Sequence, residues 1–519
     1  MAMNPKVKVY RAGGLFLEAE GTAGQTLLEF LSSRDIFLDA PCGGRGKCGK
    51  CKVRLSPGGE EVKACQTNLT GDTDIHIPEE MKMTIAGQDS GAPRAGQDAG
   101  ARGEAGDDYG VAIDIGTTTV VAHLTNLATR ERVATSSGVN AQRPYGADVI
   151  SRIEFAAAHG HGTLSRLIRT QINGLISEAC EKSGVGASRI KYIVIAGNTI
   201  MQHLAAGYSP VGMGTVPFEP VSLFGEELPP WDGLPAAPGA AMYFAPCVSS
   251  YVGGDITAGM LFCDFERDAG PTVFIDIGTN GEIAMKTGDR YLCCATAAGP
   301  AFEGAEISCG MAAVPGAVSH IRWGDGRPEL TVLGDGEEPG GICGSGLLDA
   351  LALLLDTGAV DETGRILDPE EIEHPIAAHI GKDAQGKNVF YLSRVGGGVY
   401  LSAADVRKLQ LAKAAIAGGI QTLLREAGTR EEDVKTFILA GGFGSYLDRG
   451  SAARIGLFPG TFLPVTRSPG NTAGEGAAKA LVSEEARAEL LVMRGKCEYV
   501  ELSSSLVFNE QFVEQMMFE

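Results

Sequence analysis

The stretch Cys42-Gly43-Gly44-Arg45-Gly46-Lys47-Cys48-Gly49-Lys50-Cys51 sets three cysteines among glycines, and a fourth cysteine, Cys65, follows shortly after. Four thiolates close together in a chain can hold a [2Fe–2S] cluster. The glycines permit a tight loop whose amide N–H groups face the sulfurs, and the basic side chains offset the negative charge of a thiolate cluster. The pattern therefore predicts an iron–sulfur site with Cys42, Cys48, Cys51 and Cys65 as ligands.

A zinc knuckle and a disulfide cluster are the two other interpretations of these cysteines. Zinc ribbons usually carry two C-x2-C pairs, and this stretch has one, Cys48 to Cys51. Disulfides are disfavoured because the first residues lack the apolar core of a secretory signal. The spacing C-x5-C-x2-C…C resembles the ferredoxins of the adrenodoxin-like type, whose first gap is one residue longer than in the plant type. That resemblance implies a β-grasp fold.

Residues 4–82 are expected to form this single ferredoxin-like module. The sequence predicts strands at 7–10, 15–19, 52–55 and 74–77 and a helix at 26–31. The next segment, 83–108, is small, polar and without periodicity, which is typical of a flexible linker. Such a linker either lets the cluster module swing between an electron donor and an acceptor or is a passive spacer.

Bulk composition excludes several classes of function. The chain has 519 residues, of which 44% are hydrophobic and 21% charged, as in ordinary globular domains. The net charge of −20 argues against nucleic acid as a partner, because phosphates would be repelled. No apolar run is long enough for a bilayer, so no membrane association is expected. Twelve cysteines without an export signal indicate a reducing compartment, and a cytoplasmic location is expected.

Two later stretches repeat one design, an apolar strand that ends in Asp and is followed by Ile-Gly-Thr. They are Asp114-Ile115-Gly116-Thr117-Thr118 and Asp276-Ile277-Gly278-Thr279-Asn280. Such a turn offers backbone N–H groups and side-chain hydroxyls to phosphate oxygens, and its Asp is placed to hold Mg²⁺ through water. Two copies predict an internal duplication with a nucleotide bound between the halves.

Two glycine-rich turns complete this pattern. Gly441-Gly442-Phe443-Gly444 follows a predicted strand, and its side-chain-free backbone suits the close approach of an adenosine. The segment 341–349, which includes Gly344, enters a helix as a hinge between two halves would. The motifs in this order resemble the actin, sugar kinase and Hsp70 superfamily. The predicted fold class is therefore α/β, a β-grasp ferredoxin domain followed by a duplicated actin-like (ribonuclease H-like) ATPase domain over 109–519 that binds ATP and Mg²⁺.

Further stretches at 140–153, 251–255, 298–311 and 498–503 bring the resemblance closer. With the ferredoxin head, the chain resembles the reductive activators of corrinoid-dependent enzymes over nearly its whole length. The resemblance implies that the ferredoxin module passes one electron to an inactive Co(II) corrinoid on a partner protein, and that ATP helps drive the step to Co(I). It also implies a corrinoid protein of a methyltransferase or acetyl-CoA pathway system as partner, an external electron donor and a homodimer. Some members carry an extra small domain where this chain has only the predicted linker.

The resemblance also suggests roles for individual residues. Asp114 and Asp276 are candidates to hold Mg²⁺ or to position water, and Asp255 either orients the attacking water or caps a helix. The expected phosphate contacts are Gly116, Thr117, Thr118, Gly278, Thr279 and Asn280. The expected adenosine contacts are Gly441, Gly442 and Gly444, and Gly344 is a further candidate for binding the nucleotide. Glu303 and Ser308 either face the corrinoid or belong to a strand-turn packing motif.

Three other functions fit parts of the pattern. One is an electron-transfer protein with a regulatory nucleotide-binding domain, and another is a small-molecule kinase with a ferredoxin appendage. The third, an activator of a radical dehydratase, holds its cluster with cysteines inside the ATPase domain, whereas the ligands here lie in a separate head.

Overall fold

The structure is a computed structural model of the whole chain. It describes residues 4–11, 13–34, 36, 38, 46, 51–56, 59–77, 108–278, 280–304, 306–394, 398–444 and 446–518. Cys42, Cys48, Thr279 and the predicted linker up to residue 107 lie outside the described residues. Within the described ranges, no helix is both long enough and apolar enough to cross a membrane.

The first module is a small sheet with one helix packed on it. Its elements are β1 (Lys6–Arg11), β2 (Gly14–Glu20), α1 (Leu27–Ser32), β3 (Lys52–Leu55), β4 (Glu61–Lys63) and β5 (Thr73–Ile77). The strand order is β2-β1-β5-β3-β4, with β1 parallel to β5. Thr26 starts α1 with a reciprocal capping box to Glu29, and Phe30 is buried against Val7 and Val9 in the core. The arrangement agrees with the β-grasp prediction.

The next part of the chain forms a six-stranded sheet with helices. Its strands are β6 (Tyr109–Ile115), β7 (Thr119–Asn126), β8 (Arg132–Val139), β9 (Ile190–Gly197), β10 (Glu226–Leu228) and β11 (Ala241–Phe244). Its helices are α2 (Val149–His159), α3 (Gly162–Ser183), α4 (Thr199–Ala206) and α5 (Gly254–Phe262). The strand order is β10-β11-β9-β6-β7-β8. We call this part the first half.

The second half repeats that sheet and adds two small ones. Its strands are β12 (Thr272–Ile277), β13 (Gly281–Thr287), β14 (Arg290–Thr296), β15 (Ala317–Gly324), β16 (Arg327–Val332), β17 (Gly341–Ile342), β18 (Ile380–Lys382), β19 (Asn388–Ser393), β20 (Val399–Ser402), β21 (Thr436–Ala440), β22 (Thr466–Gly470) and β23 (Cys497–Tyr499). Its helices are α6 (Gly344–Asp356), α7 (Ala403–Ala427), α8 (Gly441–Gly444), α9 (Arg449–Arg454), α10 (Thr472–Leu481), α11 (Glu484–Lys496) and α12 (Leu506–Glu514). The large sheet has the order β22-β21-β12-β13-β14-β23.

Five strands of the two large sheets correspond, which confirms the predicted duplication. In each sheet, an antiparallel meander (β6-β7-β8 or β12-β13-β14) is extended by two parallel strands on the other side of its first strand. The sixth strand differs: β10 adds antiparallel to β11 in the first sheet, and β23 adds parallel to β14 in the second. The first strand of each meander is central, and it carries the repeated Asp-Ile-Gly design. Central parallel strands are buried on both faces and read as apolar runs, which is why the sequence located both.

Helices α5 and α10 cross between the two halves. Their backbones come so close that a Cβ added to Gly476 would lie 1.9 Å from the Ala258 carbonyl oxygen. One apolar cluster joins residues of both large sheets to these two helices. The hinge predicted at 341–349 is wrong, because α6 lies inside the second half, buried in that half's own core. Locally, a glycine-rich helix start looks the same in either place.

Candidate active site and cluster site

The two Asp hairpins lie at matching places in the two sheets. Asp114 is the second-last residue of β6 and pairs with Ala196 of β9, and Asp276 is the second-last residue of β12 and pairs with Ala440 of β21. The second turn is tight, because the Gly278 amide donates to the Asn280 carbonyl over 2.9 Å. Because parallel strands meet at one sheet edge, each aspartate faces the loop that follows the neighbouring strand.

Four carboxyl groups crowd into one space between the hairpins. Asp255, on the first turn of α5, and Glu282, on β13, join the two hairpin aspartates. Burial raises the pKa of Asp114 to about 6, and burial together with the Asp114 charge raises that of Asp276 to about 7. Burial and both hairpin aspartates raise the pKa of Asp255 to about 8. Burial, Asp255 and Asp276 raise that of Glu282 well above its usual range.

Such mutual repulsion is relieved by a cation, so the space fits Mg²⁺. Across the part of the chain that the structure describes, three or more His, Cys, Asp or Glu side chains never converge at direct metal-ligand geometry. Mg²⁺ usually keeps several waters and takes one or two carboxylates plus substrate phosphates. The residues therefore fit a Mg²⁺ ion that is held largely through water and nucleotide.

Asp255 is not a helix N-cap. Helix α5 begins at Gly254, its N-cap is Gly253, and the Asp255 carboxylate accepts a hydrogen bond from the Ile256 amide over 2.9 Å. The N-cap alternative is therefore wrong. Asp255 belongs instead to the carboxyl cluster, and its role toward an attacking water stays a prediction.

The glycines of the predicted adenosine turn differ in their surroundings. Gly441 has φ +87°, and a Cβ there would lie 2.4 Å from the Asp276 Oδ1 atom. Gly442 is exposed, with open space where a side chain would be, and Gly444 is buried against Leu439. Gly344 is buried, and a Cβ on it would meet the Phe302 carbonyl at 1.8 Å. The close contact at Gly441 places this turn beside the carboxyl cluster. Adenosine binding by Gly441, Gly442 and Gly444 and nucleotide binding by Gly344 stay predictions.

A buried arginine supports the first hairpin, and sequence reasoning assigned it no role. Arg152 of α2 is 0% exposed, and its Nη2 atom donates to the Thr117 carbonyl over 2.6 Å. Its other donors reach the Gly146 carbonyl and the Gln142 side chain. Burial lowers the pKa of Arg152 to about 9, and the nearby Asp148 carboxylate opposes that shift. An arginine in a helix otherwise packed into the core is a signal that could have found it.

Two asparagines also hold the first hairpin. The Asn140 side chain donates to the Gly116 carbonyl over 2.8 Å, and the Asn140 backbone N–H donates to the Thr118 carbonyl over 2.8 Å. Asn198, the N-cap of α4, donates to the Thr117 hydroxyl over 3.1 Å. The stretch 140–152, quoted above only for its family resemblance, thus fixes the shape of this turn.

Glu303 and Ser308 lie in different surroundings. The Thr118 hydroxyl donates to the Glu303 carboxylate at 3.3 Å and 3.5 Å, which links the first hairpin to the second half. Ser308 donates from its amide to the Asp405 carboxylate over 2.9 Å, next to the start of α7. Glu303 therefore belongs to the nucleotide cleft.

In the first module, the described cysteines meet at the end of a hairpin. The Ala64 amide, next to Cys65, donates to the Cys51 carbonyl over 2.8 Å, so the two cysteines lie on neighbouring backbone. Gly46, between the other two ligand candidates, has φ +73°, and a Cβ on it would lie 2.2 Å from the Gln66 side chain. Gly46 thus packs against the turn that carries Cys65, while the positions of Cys42 and Cys48 lie outside the described residues.

Comparison with known proteins decides the family. A model of the 2Fe-2S iron-sulfur cluster binding domain matches residues 15–74, one of the RACo middle region matches 109–268, and one of the "C-terminal domain of RACo the ASKHA domain" matches 270–519. Corrinoid activation enzyme RamQ of Eubacterium limosum is 34% identical over 424 residues, 79% of this chain and 70% of that protein. The chain belongs to the corrinoid reductive activators.

Two further relatives span most of the chain. The [Co(II) methylated amine-specific corrinoid protein] reductase of Methanosarcina barkeri is 25% identical over 448 residues, 78% of this chain and 76% of that protein. A solved structure, the reductive activator for corrinoid,iron-sulfur protein, superposes with a TM-score of 0.69 at 29% identity and covers 99% of this chain and 98% of its own.

Membership in the corrinoid reductive activators confirms several predictions. The fold class is confirmed, since the ferredoxin-type model covers the first sheet and the ASKHA model covers the second half. The cofactor set of [2Fe–2S] cluster, ATP and Mg²⁺ is confirmed with it. The domain limits and the roles of individual residues are not decided by these comparisons and stay predictions.

Proposed function

We propose that the chain reduces the inactive Co(II) corrinoid of a partner protein to Co(I) by one electron, in a step that depends on ATP. When bound, the [2Fe–2S] cluster supplies a one-electron carrier, and plant-type centres have a potential of about −400 mV. The substrate cobalt gains that electron, and an external electron donor then supplies the next electron to the ferredoxin module. Since each 59 mV changes a one-electron equilibrium about tenfold, transfer to a lower-potential cobalt needs a second source of free energy.

One observation carries this proposal: a single chain joins a four-cysteine ferredoxin module to a cleft where two Asp hairpins converge. The Cys51 and Cys65 backbones are adjacent in the first module. In the cleft, Asp114 raises the pKa of Asp276, and both of these aspartates raise the pKa of Asp255. An uphill electron transfer requires an electron carrier and a source of free energy. This chain joins a ferredoxin module to a predicted nucleotide site, which can supply both.

Within the cleft, we assign the chain's own residues as follows. Asp114 and Asp276 hold the water shell of Mg²⁺, and Asp255 orients the water that attacks the terminal phosphate. Backbone and side chains of Gly116, Thr117, Thr118, Gly278, Thr279 and Asn280 bind phosphate oxygens. Gly441, Gly442 and Gly444 border the adenosine, and Gly344 also contributes to the nucleotide site. Cys42, Cys48, Cys51 and Cys65 hold the cluster.

The surroundings of the reaction are part of the proposal. The partner is a corrinoid protein of a methyltransferase or acetyl-CoA pathway system, and the chain acts as a homodimer in the reducing cytoplasm. Residues 4–82 form the electron-carrying domain, 109–519 the ATPase domain, and 83–108 a linker that lets the first domain reach donor and acceptor in turn. The composition of the linker supports that role.

Visible spectroscopy tests the proposal directly. Reduced protein is mixed under anaerobic conditions with a Co(II) corrinoid protein, with and without MgATP, and the conversion of Co(II) to Co(I) absorbance is followed. We expect Co(I) only with MgATP, and no Co(I) from the Cys65→Ser variant, which retains the ATPase cleft. Equal formation of Co(I) with and without MgATP would favour an electron-transfer protein with a regulatory nucleotide-binding domain. Phosphorylation of a metabolite in place of Co(I) would favour a kinase.

A further inference from the structure

A contact across the cleft gives Glu303 a role of its own. Thr118 lies in the phosphate hairpin of the first half, whereas Glu303 ends a short 3-10 turn, Pro300–Glu303, of the second half. The Thr118 hydroxyl donates to both oxygens of the Glu303 carboxylate, at 3.3 Å and 3.5 Å. The contact therefore joins the two halves through residues that are 185 positions apart in the sequence.

A hydroxyl has a single proton to donate, and an ionised carboxylate can only accept. The Thr118 hydroxyl can thus serve Glu303 or a phosphate oxygen, but not both at once. A phosphate in the hairpin would also meet the negative charge of Glu303 at short range, where like charges repel. Phosphate binding and the bridge from Thr118 to Glu303 exclude each other.

The turn that carries Glu303 is coupled to the nucleotide cleft on its other side. Phe302 stacks on Phe443 of the glycine turn, with ring centroids 5.4 Å apart and planes 17° apart. The Phe302 carbonyl also abuts Gly344 at the start of α6. Phe302 is 1% exposed and packed in the core of the second half. A displacement of Glu303 therefore also shifts Phe302 and the side chains packed against it.

We propose that Glu303 is a positioning residue that holds the nucleotide-free cleft together through Thr118 and is displaced by the phosphates of the bound nucleotide. The proposal rests on the proposed function, because it takes the Asp114 hairpin as a phosphate site. Glu303 competes with the nucleotide for one hydroxyl, so nucleotide binding must break a link between the halves. Nucleotide binding thereby becomes a change in how the two halves are joined.

The test measures the affinity of the full-length protein for MgADP, MgATP and adenosine by isothermal titration calorimetry. Removal of the competing acceptor in Glu303→Ala is expected to tighten MgADP and MgATP binding roughly 3- to 10-fold, the range of one hydrogen bond. Glu303→Gln, which loses the charge but keeps an acceptor, is expected to give a smaller gain. Adenosine, which has no phosphate, is expected to bind all three proteins equally.

A double-mutant cycle with Thr118→Val shows whether Glu303 acts through the hydroxyl. In the Thr118→Val background, Glu303→Ala is expected to bring little further gain. Glu306→Gln removes an exposed charge from the same loop and serves as the matched control, with unchanged affinity expected. Thermal unfolding of each variant identifies any loss of folded protein.

The outcomes separate the two levels of the argument. Unchanged or weaker MgADP binding in both Glu303 variants, with wild-type stability, overturns the role of Glu303 alone. An equal gain for adenosine, or a full gain in the Thr118→Val background, also overturns it. Failure of the wild-type protein to bind any of the nucleotides overturns the ATP-dependent function and the Glu303 proposal together.

Discussion

The two Asp hairpins occupy matching places in the two large sheets but are supported in different ways. The first hairpin is supported from behind by the buried Arg152 and by the amides of Asn140 and Asn198. The second hairpin faces the carboxyl group of Glu282 and the bare backbone of Gly441. The first hairpin is therefore held by polar side chains from other elements, whereas the backbone of a neighbouring turn packs directly against the second. The carboxyl cluster itself draws two of its four groups from each half.

The largest effect is expected where the support of the first hairpin is removed. Arg152→Met leaves the carbonyls of Thr117 and Gly146 without their buried donor, which is expected to cost about 3 kcal/mol in the free energy of unfolding. Urea denaturation checks this. Arg166→Met, which removes an exposed arginine from α3, is the control and is expected to change stability by less than about 0.5 kcal/mol. Equal stability of both variants would contradict a special role for the buried cation.

The second half is tested by filling the space at Gly441. In Gly441→Ala the new methyl group meets the Asp276 Oδ1 atom at 2.4 Å on a backbone with φ +87°, so that both the turn and the carboxylate must shift. We expect ATP hydrolysis to fall about 100-fold, with folding largely preserved. Phosphate release from MgATP is the measurement. Gly460→Ala, at a glycine with open space around its Cβ position, is the control and is expected to retain full activity. A similar loss of ATP hydrolysis in Gly460→Ala would show that the close contact between Gly441 and Asp276 is not the cause.

The crowded carboxyls predict an unusual pH dependence. In the folded protein the pKa of Asp255 is raised to about 8, whereas an unfolded chain has the ordinary value near 3.8. The folded state therefore holds more protons between these values, and stability without Mg²⁺ falls as pH rises from about 4 to 8. Asp255→Asn is expected to gain about 2 kcal/mol at pH 8 and nothing at pH 4, while ATP hydrolysis is lost. Urea denaturation at both pH values gives the answer; an equal gain at both would show that charge is not the cause.

The smallest effects are expected at two helix N-caps that touch the first hairpin from opposite halves. Asn198 caps α4 and donates to Thr117, and Asn471 caps α10 and forms a hydrogen bond with Asp114 that lowers the pKa of that carboxyl. Each Asn→Ala change is expected to cost about 1 kcal/mol of stability. Only Asn471→Ala should also weaken the binding of MgATP at pH 6, since Asp114 then keeps its proton more firmly. Calorimetric titration of both variants tests the asymmetry, and equal losses of affinity would contradict it.

The parts of this site that consist of consecutive residues could be predicted from the sequence alone. Asp114 and Asp276 each follow a run of apolar residues and precede a glycine, so strand, turn and charge could all be predicted locally. The contacts of Arg152 with Thr117, of Glu303 with Thr118 and of Glu282 with the other carboxyls join elements that are distant in the chain. Such pairs depend on how sheets and helices pack, which the periodicity of one sequence does not reveal. The misplaced hinge has the same origin, since the helix at Gly344 has the local pattern of one that joins two halves but lies within one.

The crossing of α5 and α10 has a consequence for how the cleft works. Gly476 places the backbone of α10 directly against the Ala258 carbonyl of α5, and beside this contact Lys479 of α10 donates to the Leu261 carbonyl of α5 over 2.8 Å. Because these two helices lie in the apolar cluster that joins both large sheets, their separation sets the spacing of the two halves. A side chain at position 476 would push α5 and α10 apart, so a single glycine keeps the two halves at their observed distance.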